Sequence, residues 1–143
     1  MKLLTKALMK QIPPLYATDK VPIEKKKYWA KFFTPDSNWT WYVAEANAIL
    51  SDDTEVPLSD PRANEAVDVR FFGLVQGMEE VAGYFMLREL ESIRGALGLP
   101  IERDRYFRPG PKERHGTSGG GKKRHGKPNP VRQAAELADL MRR

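Results

Sequence analysis

Asp68-Val69-Arg70-Phe71-Phe72-Gly73-Leu74-Val75-Gln76-Gly77-Met78-Glu79-Glu80-Val81-Ala82-Gly83-Tyr84-Phe85-Met86-Leu87-Arg88-Glu89-Leu90-Glu91-Ser92-Ile93-Arg94 is the stretch that decides the fold. Two apolar runs, 68–75 and 81–86, flank Gln76-Gly77-Met78-Glu79-Glu80, and so short a connection joins antiparallel neighbours. Phe71, Gly73 and Val75 point one way from the first run, Phe72 and Leu74 the other. From Leu87 the period changes: Leu87, Leu90, Ile93 and Leu97 recur on one side of a helix. Gly95 is placed to take the left-handed position beyond its last turn, and Leu99-Pro100 closes the element. The stretch predicts a hairpin followed by a helix over 87–94.

Upstream, residues 28–34 and 39–45 read as a second pair of strands around Pro35-Asp36-Ser37-Asn38. Pro presets φ there, while Asp and Asn can bond their own backbone. Trp39, Trp41 and Val43 share one face of the returning strand; Thr40 and Tyr42 share the other. Residues 46–68, with Asp52-Asp53, Pro57 and Asp60-Pro61, read as a long surface loop. At the start, Thr5 caps a short helix whose stripe is Leu8, Met9 and Ile12, and Pro13-Pro14 stops it. Lys25-Lys26-Lys27 reads as linker. The fold class is α+β, with about four mostly antiparallel strands in two hairpins packed with short helices.

The chain has 143 residues and a net charge of +5, and that charge is unevenly spread. Residues 1–102 carry a net −3 and residues 103–143 a net +8. Every aromatic lies between Tyr16 and Phe107. The expected organisation is an α+β domain over 1–107, a flexible Gly/Pro/Lys-rich linker over 108–128 and a short amphipathic helix over 129–143. A linker of that composition cannot bury enough surface to offset its ordering entropy. Asn129 and Pro130 suit a helix start, and Val131, Ala134, Leu137, Ala138 and Met141 form a stripe fit for a protein partner. The basic side chains Arg108, Lys112, Arg114, Lys122, Lys123, Arg124 and Lys127 are the candidate nucleic-acid contacts. Without aromatics among them they would bind phosphates and leave bases unread.

Several chemistries are disfavoured. Cysteine is absent, and the two histidines, His115 and His125, both come after residue 107. The body therefore lacks the residues for Ser-His-Asp or Cys-His catalysis and for imidazole zinc ligation. Residues 116–122 match the spacing of a phosphate-cradling loop, but Lys123 stands where a Ser or Thr hydroxyl should meet Mg²⁺. Glu89 and Glu91 fall on different helix faces. Glu102 and Asp104 alternate with Arg103 and Arg105, as paired charges on an extended segment do. No catalytic residue, metal ligand or cofactor is expected. With no long apolar run and no secretory pattern at the first residues, a cytoplasmic protein without membrane contact is expected.

Phe33-Thr34-Pro35, Thr40-Trp41, Phe72-Gly73-Leu74-Val75, Gly83-Tyr84-Phe85, Leu90-Glu91-Ser92-Ile93-Arg94-Gly95 and Leu99-Pro100-Ile101-Glu102-Arg103-Asp104 together resemble domain-of-unknown-function family 2958. The resemblance spans about residues 3–107. Where the family often reads Ser-Leu-Ser-Glu-Leu-Glu, this chain has Met86-Leu87-Arg88-Glu89-Leu90-Glu91, losing both serines that could cap the helix, at about 1 kcal/mol. The resemblance implies a small bacterial protein of plasmids, phages or integrative elements, in the company of antirestriction proteins. The functional expectation is a non-enzymatic accessory protein of a mobile element whose basic tail gives sequence-independent attachment to nucleic acid or an acidic surface. Two alternatives stand beside it: a protein-binding inhibitor of a host defence system, and a carboxylate- and Mg²⁺-dependent enzyme on nucleic acid built around Glu89, Glu102 and Asp104.

Overall fold

The computed structural model describes residues 2–111. Thr5 starts the first helix, α1 (Lys6–Gln11), by accepting a hydrogen bond from the Leu8 amide at 3.2 Å, and Pro13 ends it after the Ile12 cap. The strands are β1 (Ala30–Phe33), β2 (Thr40–Ile49), β3 (Glu55–Pro57), β4 (Asp68–Gln76), β5 (Glu80–Met86) and β6 (Glu102–Arg103). The second helix, α2 (Leu87–Ser92), continues directly from β5. The sheet has six strands in the order β5-β4-β2-β1-β6, with β3 paired to β2, and all described pairings are antiparallel.

The expected α+β class and both hairpins are present, but four strands become six. Residues 46–49, expected in a loop, extend β2, and residues 55–57 pair with that extension. The alternation Ala46-Asn47-Ala48-Ile49 is a strand pattern written in small residues, which contribute little apolar signal. Ala44, Ala46 and Ala48 are fully buried. At the other edge, the alternating charges from Glu102 onward do form a short strand, on Phe32 and Phe33.

One side of β2 pairs with β4 along its length, while the other pairs first with β1 and then with β3. Between those two partners the register with β4 shifts, between Val43 and Glu45. Such a bulge leaves backbone groups without a ladder partner, and here the Ala46 amide donates to the Pro13 carbonyl at 2.9 Å. Beside the bulge, a β-carbon on Gly73 would lie 1.7 Å from the Tyr42 carbonyl oxygen, so only glycine lets β2 and β4 approach there.

Both faces of the sheet are covered, by different means. Ala30, Phe32, Trp41, Val43, Phe71, Val75 and Phe85 form the main core with Ile12 beyond α1 and Leu90 and Ile93 of the α2 region. Each large buried apolar side chain contributes roughly 1.5 to 3 kcal/mol. The opposite face carries Tyr28, Tyr42, Ala44 and Leu74, with Ile23, Phe72 and Phe107 packed against them. Trp41 and Val43 therefore do point away from Tyr42, as the alternation requires.

Helix α2 is shorter than expected. It stops at Ser92, with Ile93 already extended (φ −75°, ψ 139°). Gly95 is not left-handed; Gly98 is, at φ 83°. Leu97, expected in the buried stripe, is therefore 81% exposed. No side chain at Met86 caps the helix. The Asp68 carboxylate, at the start of β4, accepts the Arg88 amide at 3.0 Å instead, so the neighbouring strand supplies the cap that the local sequence lacks.

Candidate functional site

The turn between β1 and β2 organises one end of the sheet. Asp36 Oδ2 accepts the amides of Leu97 at 2.7 Å and Leu99 at 3.1 Å, and Ser37 Oγ accepts that of Ala96 at 3.0 Å. The loop after α2 is thereby fastened to the turn and delivers Ile101, which is buried, and then β6 to the edge of β1. Trp39 packs at the same end, occupying the space where a Gly77 side chain would be.

A cleft of about 600 Å³ opens where these segments meet. Its walls are Lys31 and Phe33 of β1, Asn38, Trp39 and Thr40 from the turn into β2, and residues 102–106. Lys31 Nζ lies 3.7 Å from Asp104 Oδ2 and 5.8 Å from the centre of the Tyr42 ring. The Arg103 guanidinium donates to the Lys2 carbonyl at 2.6 Å. Tyr106, at the lip, is 90% exposed. The cleft thus combines both charge signs with aromatic walls. Trp, Tyr and Arg around a hollow form the side-chain set that dominates protein contacts.

A second polar centre lies on the far face, and sequence reasoning missed it. Glu45 and Lys26 are 3% and 4% exposed, and their charged ends are 3.8 Å apart. Glu45 Oε1 accepts the Tyr16 amide at 2.8 Å, and Oε2 accepts the Thr18 amide at 2.9 Å and the Thr18 hydroxyl. Lys26 donates to Thr18 Oγ1 at 2.8 Å and to the Thr18 carbonyl. Asn47 Oδ1 takes the Leu15 amide at 3.1 Å. Residues 13–28 are held across the sheet like a strap, and Tyr16 is pinned at φ 71°, where non-glycine residues are strained. The available signal was one carboxylate inside the apolar run 41–46; the lysine in Lys25-Lys26-Lys27 gave none.

Two tyrosines on this face titrate high. Burial chiefly, with the Glu80 and Asp104 carboxylates adding, raises the Tyr42 phenol above its ordinary value. Burial, and after it a hydrogen bond with Tyr16, raises Tyr84.

Glu102 and Asp104 both line the cleft. Helix α2, which carries Glu89, packs with β4 and β5, while β6 lies at the opposite edge of the sheet, and the three carboxylates do not form one cluster. Among the described residues no group of three or more His, Cys, Asp or Glu side chains is placed to hold a metal ion. Arg108 is exposed, close to where Gly110 exchanges hydrogen bonds with Tyr28 at 2.9 and 3.0 Å. Lys112, Arg114, Lys122, Lys123, Arg124 and Lys127 lie outside the described residues, as do Val131, Ala134, Leu137, Ala138 and Met141. Among the described residues no helix is long and apolar enough to cross a membrane.

The family model described as "Protein of unknown function (DUF2958)" matches residues 3–112. Nothing among curated proteins or solved structures matches the chain.

Proposed function

The chain belongs to the DUF2958 family, and from that footing we propose that it is a non-enzymatic interaction module of a mobile genetic element that meets nucleic acid through its basic C-terminal residues. The placement of charge carries the reading. After Phe107 the sequence has 10 Lys and Arg against 3 Asp and Glu, whereas residues 1–102 are net negative. An acidic body repels the phosphate backbone, so attraction has to come from Arg108, Lys112, Arg114, Lys122, Lys123, Arg124 and Lys127. Binding of this kind releases counterions, is indifferent to sequence and weakens steeply with salt. With about half of the basic side chains engaged, the log–log salt slope on duplex DNA is about −4 to −5. Replacing Lys122, Lys123, Arg124 and Lys127 together by Ala in the full chain lowers affinity and flattens that slope. An unchanged slope overturns the reading.

The exposed Tyr106 at the lip of the cleft favours a second reading, a protein-binding inhibitor that grips its target through the cleft and through Val131, Ala134, Leu137, Ala138 and Met141. Under it, Tyr106→Ala leaves DNA affinity unchanged; a DNA affinity that falls with Tyr106→Ala counts against it.

A further inference from the structure

The two edges of the sheet are treated differently. At β6 the edge is two residues long, and the N-terminal segment lies against it: Arg103 reaches the Lys2 carbonyl, and Thr5 and Leu8 share a hollow with residues 103–105. At the other edge β5 runs for seven residues, and β4 is its one partner among the described strands. Alternate backbone groups of an edge strand face away from its partner. Natural edges of this length are blunted by Lys, Pro or a bulge. Val81-Ala82-Gly83-Tyr84-Phe85-Met86 has none of these, and the register with β4 runs unbroken from Met86 to Glu80. Helix α2 starts directly after Met86, and its first turn is tied inward to Asp68 of β4.

We propose that β5 pairs with β5 of a second copy of this chain, antiparallel about a two-fold axis at Gly83, joining two sheets into one. The strand is complementary to itself in that register. Gly83 meets Gly83, Ala82 meets Tyr84 and Val81 meets Phe85, so each large side chain faces a smaller one across the pair. The strand's one charge, Glu80, falls opposite Met86, so no like charges meet. The register repeats what β4 already does to β5, where Gly73 stands opposite Gly83 and Leu74 opposite Ala82. A single strand pair buries less than a standard interface, so the dimer is a weak one.

The register sets up a test at residue 86. Within one chain Met86 stands beside Arg70; across the two-fold it stands beside Glu80. Met86→Glu therefore gains a favourable neighbour inside the protomer and a repulsive one across the axis, twice per dimer. Met86→Lys does the reverse. Sedimentation equilibrium of the full chain between about 1 and 200 μM gives a mass that rises toward twice the monomer. Met86→Glu weakens association about threefold to tenfold, and Met86→Lys maintains or tightens it. Exchange of the β5 amides that face away from β4 slows as protein concentration rises. A monomer at every concentration overturns the proposal, and so does association that Met86→Glu and Met86→Lys shift in the same direction. Thermal melts of both variants establish that each is folded.

Discussion

The carboxylate of Asp36 occupies the position that a side chain on residue 95 would need: a β-carbon on Gly95 would lie 1.6 Å from Asp36 Oδ1. Glycine is required there for space, since its φ is not left-handed. Asp36 also holds the Leu97 and Leu99 amides, so displacing it releases the loop that leads to β6.

Gly95→Ala is expected to destabilise the protein by about 2 kcal/mol, through loss of hydrogen bonds to a charged acceptor. Asp36→Ala should cost a similar amount. Because the first substitution acts by evicting the Asp36 carboxylate, the double variant should cost clearly less than the sum of the two. Urea melts of the four proteins check this. Additive costs would show that Gly95 matters for another reason.

Much of this turn end is hidden in the sequence, while the hairpins are plain. The second hairpin and the α1 start are carried by local signals: alternation, a short connection, a capping threonine. Gly95 reads as a helix terminator because the apolar spacing runs on to Leu97. The helix instead ends at Ser92, and the long-range grip of Asp36 sets the path of the chain from Gly95 to Leu99. Neither that grip nor the pairing of Glu45 with Lys26, 19 positions earlier in the sequence, has a local signature. The cleft is half legible: Glu102 and Asp104 stand out as an alternating charge pattern, but their meeting with Lys31, Trp39 and Thr40 depends on strand order.

Glu45→Gln should be among the most damaging single substitutions, at about 3 to 5 kcal/mol, because it leaves the Lys26 ammonium buried without its counter-charge. Lys26→Met should cost less. The carboxylate it leaves behind still accepts from the Tyr16 and Thr18 amides. Equal losses in chemical denaturation would mean that the charge pair, and not the set of strap contacts, dominates.

Stability should fall in alkali. The folded state favours the neutral phenols of Tyr42 and Tyr84. Above about pH 10 the unfolded chain loses protons that the folded chain retains. The contribution is complete below that pH and disappears as pH rises through the folded-state values. Denaturation midpoints from pH 8 to 11.5 should slope downward above about 10, less steeply for Tyr42→Phe. Absorbance of phenolate should appear at higher pH in the folded protein than in urea.

Ending the chain after residue 111 should leave a cooperative melt close to that of the full chain, because the described core lies within it. Ending it after Phe107 removes both hydrogen bonds between Tyr28 and Gly110 and should cost about 1 to 3 kcal/mol. Indistinguishable melts for the two truncations would show that this closing contact contributes nothing.

The extra residue at the bulge in β2 acts as an adaptor between two parts of the chain that would otherwise evolve separately. It turns Glu45 toward the strap and frees the Ala46 amide for Pro13. A relative that loses one residue there would swing the carboxylate to the other face and leave Thr18 and Lys26 without their acceptor. Thr18, Lys26 and Glu45 are therefore expected to be inherited or lost as a set, and a one-residue deletion in β2 to be tolerated only alongside a rewritten N-terminal third.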